Sequence, residues 1–371
     1  MRVLLCGGGT GGHVMPAIAL AEIIEKSFPK SEIAFAGRIG GSENEAYTKT
    51  GRKLFTIDIS GFSRSLSFKN ISAFFKLIKS GRIAREIIKG FDPDIIIGTG
   101  GYVCYPFIKQ GQHLKIKTAI HESNVAPGLV TRILGPRCDK ILLNLEGTRE
   151  HLKNASNTVV VGNPTRKSFG TMTKVEARRM LRIPESKILI VSFGGSLGSD
   201  MLNEAMLGFI TDYVDASGEI WHVHATGRHY YDKCKERYPR LFEGKRNIRI
   251  VPYIDDMPTL LKAADIAITR SGAMTISELA ECKVPSILIP SPNVTANHQY
   301  YNAKYMESRG ASVVVEEVML SSGKLKSEIT RLLASKDTMR KMSNHAGNAA
   351  KTNTDRLVTD VLKEIFNDKP H

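Results

Sequence analysis

Val3-Leu4-Leu5-Cys6-Gly7-Gly8-Gly9-Thr10-Gly11-Gly12-His13 sets the reading of this chain: a short apolar run enters a glycine-rich turn, and a helical stretch, 15–27, follows. A strand buried on both faces reads as an unbroken apolar run, not as an alternation. Runs of that kind recur at 33–36, 95–97, 118–120 and 140–143, with helix-length sequence between several of them. Short apolar strands alternating with helices predict a parallel sheet covered on both sides.

The pattern then restarts. Val159-Val160-Val161 ends in the turn sequence Gly162-Asn163-Pro164, a helical stretch follows at 174–181, and a strong buried strand at 188–193 runs into Gly194-Gly195-Ser196. Further strands are expected at 220–224, 248–251, 266–268 and 286–289, and a helix at 355–366. The fold class is α/β with two halves, each opened by a strand and a glycine turn, and the boundary is placed near Asn163-Pro164. Ligands of such sheets bind at the carboxyl ends of the strands. Two halves facing across a cleft would hold one ligand between two sets of loops.

Composition narrows the partners. Hydrophobic residues make up 42% and charged residues 24%, which is globular rather than disordered. The net charge of +15 calls for an anionic partner: nucleic acid, an acidic lipid surface or a phosphorylated substrate. The five cysteines are scattered and form no CxxC pair, against a disulfide framework or zinc site and in keeping with a reducing cytosol. The apolar run before Gly7 is too short for a signal peptide, and nowhere do about 18 apolar residues follow one another, so membrane contact is expected to be peripheral.

The first glycine turn carries the GxGxxG spacing at Gly7, Gly9 and Gly12, the dinucleotide fingerprint, so a nicotinamide enzyme is an alternative. The acidic residue expected at the end of the second strand is missing, and Arg38 stands there instead, which suits a 2′-phosphate. His13 closes the turn at a helix N-terminus, where the positive helix end favours a neutral ring able to act as a base. The second turn, Gly194-Gly195-Ser196-Leu197-Gly198, lets backbone amides approach a phosphate. At 270–278 a third turn, around Gly272, opens a helix, and Glu278 can accept hydrogen bonds from ribose hydroxyls. Asn297-His298-Gln299 suits sugar hydroxyls.

Between Arg64 and Lys89, basic residues (Lys69, Lys76, Lys79, Arg82, Arg85) stand against one acid, Glu86, while Phe68, Ile71, Phe74, Phe75 and Ile78 recur at helical spacing. The stretch suits an anionic membrane surface, or an amphipathic helix that buries its aromatics. With no nucleic-acid-binding motif beside it, no nucleic acid partner is expected.

Taken together, GGGTGGH (7–13), GGYVCYP (100–106), HESN (121–124), VGNPTR (161–166), GGSLG (194–198) and RSGAMTISELAE (270–281) followed by NHQYYNA (297–303) resemble the MurG family, the transferases that convert lipid I to lipid II in peptidoglycan synthesis. The resemblance covers nearly the whole chain in the family's order. It implies a GT-B fold of two Rossmann-like domains: 1–163 for the acceptor and membrane, joined by a C-terminal helix at about 351–371, and 164–350 for the donor. It implies an inverting, metal-independent transfer with no cofactor. The donor is UDP-GlcNAc and the acceptor the C4 hydroxyl of the muramoyl sugar on undecaprenyl diphosphate, at the cytoplasmic face of the membrane. By match to the family's motifs, Thr10, Gly11, Gly12, Asn124, Arg166, Ser196, Ile254, Ala273, Met274, Thr275, Ile276, Ser277, Glu278 and Gln299 would bind the donor. Ile254 would sit near the uracil, Glu278 at the ribose and Gln299 at the GlcNAc hydroxyls. His13 is the first choice of base, with Glu122 and His121 in reserve. The chain departs from the family's HEQN at Ser123 and from its GGSQG at Leu197, both beside expected ligand residues.

Overall fold

The strand Arg2–Gly7 (β1) is buried from Val3 to Cys6. Its side chains alternate between two cores: Val3 and Leu5 face one, Leu4 and Cys6 the other. A sheet that separates two cores must be covered on both faces, which is why the strand is apolar throughout. The computed structural model describes residues 1–60, 68–165, 172–195, 197–349, 351 and 353–367, with the side chains of 68–75 and 216 outside that description.

The chain divides into two compact units, 1–165 with 353–371, and 166–352. In the first unit β1 is joined by Glu32–Arg38 (β2), Lys53–Ile57 (β3), Ile95–Gly100 (β4), Lys117–Glu122 (β5), Lys140–Leu143 (β6) and Thr158–Val160 (β7). Their order is β3-β2-β1-β4-β5-β6-β7, all parallel. β7 therefore completes the first sheet, and the turn Gly162-Asn163-Pro164 follows it. Val161 next to it is fully buried in the first unit's core. The helix Thr354–Asn367 also belongs here, burying Val358, Val361, Leu362 and Ile365 against the helix Gly11–Ser27 and its sheet. Ser27 Oγ lies 2.7 Å from Thr359 Oγ1, and Lys140 Nζ donates to Glu364 at 2.6 Å.

The second unit has Ile188–Phe193 (β8), Ile220–Ala225 (β9), Ile248–Val251 (β10), Ile266–Thr269 (β11), Ser286–Leu288 (β12) and Ser312–Val314 (β13). Their order is β10-β9-β8-β11-β12-β13, again parallel. In both sheets the first strand lies between its second and fourth neighbours in chain sense, so the strand order reverses at β1/β4 and at β8/β11. Each glycine turn leaves the sheet at such a reversal, where open α/β sheets form their binding crevice.

Candidate active site

The helix Gly11–Ser27 begins earlier than the expected stretch 15–27 and takes Gly11 and Gly12 into its first turn. His13 is thereby the third helical residue. Thr10 caps the helix with extended backbone, and its side chain takes none of the helix's first amides, which are open to a ligand. Added β-carbons at Gly9 and Gly11 would meet no protein atom, which leaves room above the turn.

His13 Nδ1 lies 2.9 Å from the Gly8 carbonyl oxygen and 3.4 Å from Thr10 Oγ1. A carbonyl only accepts, so in the neutral ring Nδ1 carries the proton and Nε2 keeps its lone pair. Thr99 Oγ1 donates to the His13 carbonyl at 2.7 Å, and Gly8 N donates to Gly100 O at 3.2 Å. The end of β4 therefore holds the turn in place. Thr10, Gly11, Gly12 and His13 are brought together at this point.

His121, Glu122 and Asn124 gather at the end of β5, next in the sheet to β4. Glu122 is buried, and its carboxylate accepts from Asn124 N (3.0 Å), Asn124 Nδ2 (3.3 Å), Gly128 N (2.8 Å) and Thr131 Oγ1 (2.7 Å). These four donors make it the brace of loop 123–128. His121 is buried too, and its Nε2 donates to Gly162 O at 3.0 Å. Burial lowers its pKa, against the opposing effects of the Gly162 hydrogen bond and the Glu122 charge. Of the three candidates, His13 alone is part-exposed; the nitrogen left to accept on His121, Nδ1, is buried.

In the second unit, Gly195 and Gly198 take φ of +87° and +80°. A β-carbon on Gly198 would stand 2.2 Å from the Thr226 carbonyl, so this turn packs tightly on the end of β9. Ser199 caps the helix Asp200–Phe209 by accepting from Leu202 N. Leu197 is fully solvent-facing at 82% exposure. Arg166 and Ser196 lie outside the described residues. The helix Ala273–Glu281 is capped by Gly272, again without a side-chain bond. Ala273 and Ile276 are buried, while Met274, Thr275, Ser277 and Glu278 are half-buried on its outer side. Ser277 Oγ donates to Ala273 O at 3.1 Å. Gln299 Oε1 accepts from Ser291 N at 2.9 Å, and Gln299 O accepts from Ser271 Oγ at 2.8 Å. Ile254 packs into the unit's core. Asp256 caps the helix Met257–Ala263 through Thr259 N. Among the described residues no group of three His, Cys, Asp or Glu could hold a metal ion.

Sequence reasoning missed two devices. The Arg270 guanidinium, only 9% exposed, donates to Ser199 Oγ (2.5 Å), Ile289 O (3.2 Å), Pro290 O (3.4 Å) and the Glu317 carboxylate. It ties the loops after β8, β11, β12 and β13 together. Beneath the same turns, Ser192 Oγ lies 2.7 Å from both His222 Nε2 and His224 Nδ1. His224 Nε2 meets Asn203 Oδ1 at 3.1 Å, and Asn203 Nδ2 donates to Thr226 O at 2.9 Å. The amide fixes the order, because Oδ1 only accepts: His224 is protonated on Nε2 and receives the Ser192 hydroxyl on Nδ1.

Of the basic stretch, Arg64 and the side chains of Phe68, Lys69, Ile71, Phe74 and Phe75 lie outside the described residues. From Lys76 on, the helix Phe68–Phe91 buries Ala84, Ile88 and Phe91 and exposes Ile78, Lys79, Arg82, Arg85 and Lys89. No described helix is long and apolar enough to cross a membrane.

Residues 3–143 match the glycosyltransferase family 28 N-terminal domain and residues 189–357 its C-terminal domain. The UDP-N-acetylglucosamine--N-acetylmuramyl-(pentapeptide) pyrophosphoryl-undecaprenol N-acetylglucosamine transferase of Acetivibrio thermocellus is 37% identical over 369 residues, covering 100% of this chain and 99% of its own. The protein of the same name from Caldanaerobacter subterraneus subsp. tengcongensis is 38% identical over 371 residues, covering 98% and 100%. Among solved structures, Acinetobacter baumannii MurG matches with a TM-score of 0.78 at 24% identity, over 98% of this chain and 99% of its own. The UDP-GlcNAc 2-epimerase of Neisseria meningitidis, solved with UDP-GlcNAc bound, matches with a TM-score of 0.68 at 13% identity, over 98% and 100%. The structural likenesses carry the fold class, GT-B. With identity of this level along its whole length, the chain belongs to glycosyltransferase family 28, among the UDP-N-acetylglucosamine--N-acetylmuramyl-(pentapeptide) pyrophosphoryl-undecaprenol N-acetylglucosamine transferases.

Proposed function

We propose that this chain transfers N-acetylglucosamine from UDP-GlcNAc to the C4 hydroxyl of the muramoyl sugar of lipid I, with inversion and with His13 as the base. The observation that carries the assignment of the base is the 2.9 Å contact from His13 Nδ1 to the Gly8 carbonyl, which leaves Nε2 to accept a proton. The acceptor oxygen forms a bond to the anomeric carbon, the bond from that carbon to the UDP oxygen breaks, and the hydroxyl proton passes to Nε2. The departing electron pair stays on UDP. The helix start at Gly272 and the amides of the turn at Gly194 and Gly195 supply positive potential for that diphosphate. Arg166 and Ser196 would add to it, and a single displacement requires no covalent intermediate.

In this reading the first unit takes the acceptor, and its Thr10, Gly11, Gly12 and Asn124 belong to the set that binds the donor. The second takes the donor on Ala273, Met274, Thr275, Ile276, Ser277, Glu278 and Gln299, with Ile254 at the base. The exposed Ile78, Lys79, Arg82, Arg85 and Lys89 support docking on an anionic membrane surface, at its cytoplasmic face. Co-sedimentation with vesicles containing anionic lipid, lost on raising the salt, tests that part.

The deciding experiment is transfer of labelled GlcNAc to a short-chain lipid I analogue, with diacylglycerol as a parallel acceptor. A labelled disaccharide lipid is expected; product with diacylglycerol alone would replace the acceptor. In the same assay His13→Ala should cut turnover by about 10² to 10⁴ while UDP-GlcNAc still binds. Near-normal turnover would end the assignment of the base.

A further inference from the structure

Behind the glycine turn of the first unit stands a carboxylate that the reaction scheme does not use. Glu43 opens the helix Glu43–Thr48 and is 1% exposed. Glycines make its space: a β-carbon on Gly8 would stand 2.5 Å from Glu43 Oε1, and one on Gly41 would stand 2.4 Å from Cδ. Arg38 N donates to Oε1 at 2.9 Å, and Gly9 N donates to Oε2 at 3.2 Å. The Gly9 N–H and the Gly8 carbonyl are the two ends of one peptide group. That carbonyl is the acceptor for His13 Nδ1 at 2.9 Å. Carboxylate, peptide and imidazole therefore form one continuous chain: Glu43 Oε2 to Gly9 N–H, Gly8 C=O to His13 Nδ1–H.

A peptide group hydrogen-bonded at its N–H to an anion is polarised, and its carbonyl becomes a better acceptor. Glu43 itself is buried, which limits screening at the carboxylate end. We propose that Glu43 is a positioning residue for proton transfer at His13, acting through the Gly8–Gly9 peptide; this rests on the reading of His13 as the base. When Nε2 takes the acceptor's proton, the ring becomes imidazolium and its Nδ1–H presses on the Gly8 carbonyl. Glu43 stabilises that charge through the peptide and stays a carboxylate; no proton moves to it. The logic is that of the acid in a Ser-His-Asp triad, with a peptide inserted between acid and imidazole.

Other titratable groups around this segment do not mimic the effect. Tyr47 donates its hydroxyl to Gly7 O at 2.8 Å, and burial pushes its pKa up. Burial likewise raises the Cys6 thiol, with Cys104 beside it. Arg38 is exposed. Each of the two buried groups is neutral near pH 7, which leaves Glu43 as the anion in contact with the turn among the described residues.

Glu43→Gln keeps the shape, removes the charge and leaves one acceptor for two backbone N–H groups. Assayed with UDP-GlcNAc and the lipid I analogue, it should lower kcat about 10- to 100-fold with KM for UDP-GlcNAc changed less than about 3-fold. The acid limb of its pH–rate profile should move to lower pH, because the imidazolium has lost its partner. In a His13→Ala background the substitution should have no further effect. Unchanged kcat and pH limb, or the same fold-loss with and without His13, would overturn the proposal. If His13→Ala itself turns over normally, the base is wrong and the role of Glu43 falls with it. If His13→Ala is slow and Glu43→Gln is silent, the role of Glu43 alone fails. Should Glu43→Gln not fold, nitrogen NMR of 15N-histidine in the unaltered protein decides: His13 is expected as the Nδ1–H tautomer when neutral, and the Nε2–H tautomer would overturn the chain of hydrogen bonds.

Discussion

A β-carbon on Gly100 would stand 2.4 Å from Cδ2 of His13 and 2.8 Å from its Nε2, so the imidazole lies flat on a residue that must have no side chain. Gly100 also holds φ at +118°, outside the range of ordinary residues. Gly100→Ala should therefore both strain the turn, by about 1–3 kcal/mol, and push the ring out of place. Turnover is expected to fall at least about 10²-fold, the effect of misplacing a reacting group by an ångström, with UDP binding in the second unit unchanged. Steady-state transfer beside calorimetric UDP titration checks both halves of that statement.

Arg270 answers to a different measurement. Its guanidinium and the Glu317 carboxylate are both largely buried, and its other donors go to Ser199 and two carbonyls. Removing one partner of such a pair leaves the other charge stranded, at a cost of about 3–5 kcal/mol. Arg270→Met should lower the unfolding free energy by that order in urea. Arg270→Lys should recover little, because one ammonium cannot span acceptors on three loops.

Acid should loosen the second unit before it affects most surface pairs. Burial pushes the His224 pKa down to about 4 and lowers that of His222 well below the usual histidine range, with His224 adding to the latter effect. The unfolded chain binds these protons near pH 6.5 and the folded chain does not. Their contribution to stability is therefore complete above about pH 6.5 and is lost progressively as the pH falls toward about 4. For His224 alone the full loss is on the order of 3 kcal/mol. Urea unfolding of the intact protein between pH 7.5 and pH 4.5 should show this fall, and His224→Asn should flatten it.

Glu278 is expected to govern nucleotide affinity rather than rate. It is half-buried on the helix Ala273–Glu281, whose start at Gly272 would receive the diphosphate. A hydrogen bond to a charged group contributes about 1.5–3 kcal/mol. Glu278→Ala should weaken UDP binding by about 10- to 100-fold, read by calorimetry, while saturating donor restores much of kcat. Unchanged affinity would mean that the ribose is held elsewhere.

How much of this was legible depends on where each interaction lies along the chain. β1, β4 and β8 were readable because a strand covered on both faces has no polar alternation to obscure it. β3 was not, because Lys53 and Thr56 are exposed on an edge strand and break the apolar run. β13 escaped notice because it has only three residues and two of its side chains are half-buried. The His13 turn is local, so its spacing could be seen. Glu43 lies 34 residues from Gly9, inside Ser-Glu-Asn-Glu, which reads as a solvated helix start. Arg270 sits inside a recognised motif, but its partners are 71 and 47 residues away, and no spacing rule reaches that far. The glycines at 8, 37 and 41 were the available signal for Glu43: they are small because a carboxylate fills the space.

The helix Thr354–Asn367 gives the two units different histories during synthesis. The unit 166–352 is contiguous in sequence and can collapse as soon as it has emerged. The unit that begins at Met1 is translated first, yet it cannot close its core until Val358, Val361, Leu362 and Ile365 arrive. Until then the outer face of the helix Gly11–Ser27 stays uncovered, and the glycine turn that presents His13 rests on an unfinished support. The portion made second is thus free to fold first, and the core behind the helix that carries His13 is completed only after that intervening unit has been made.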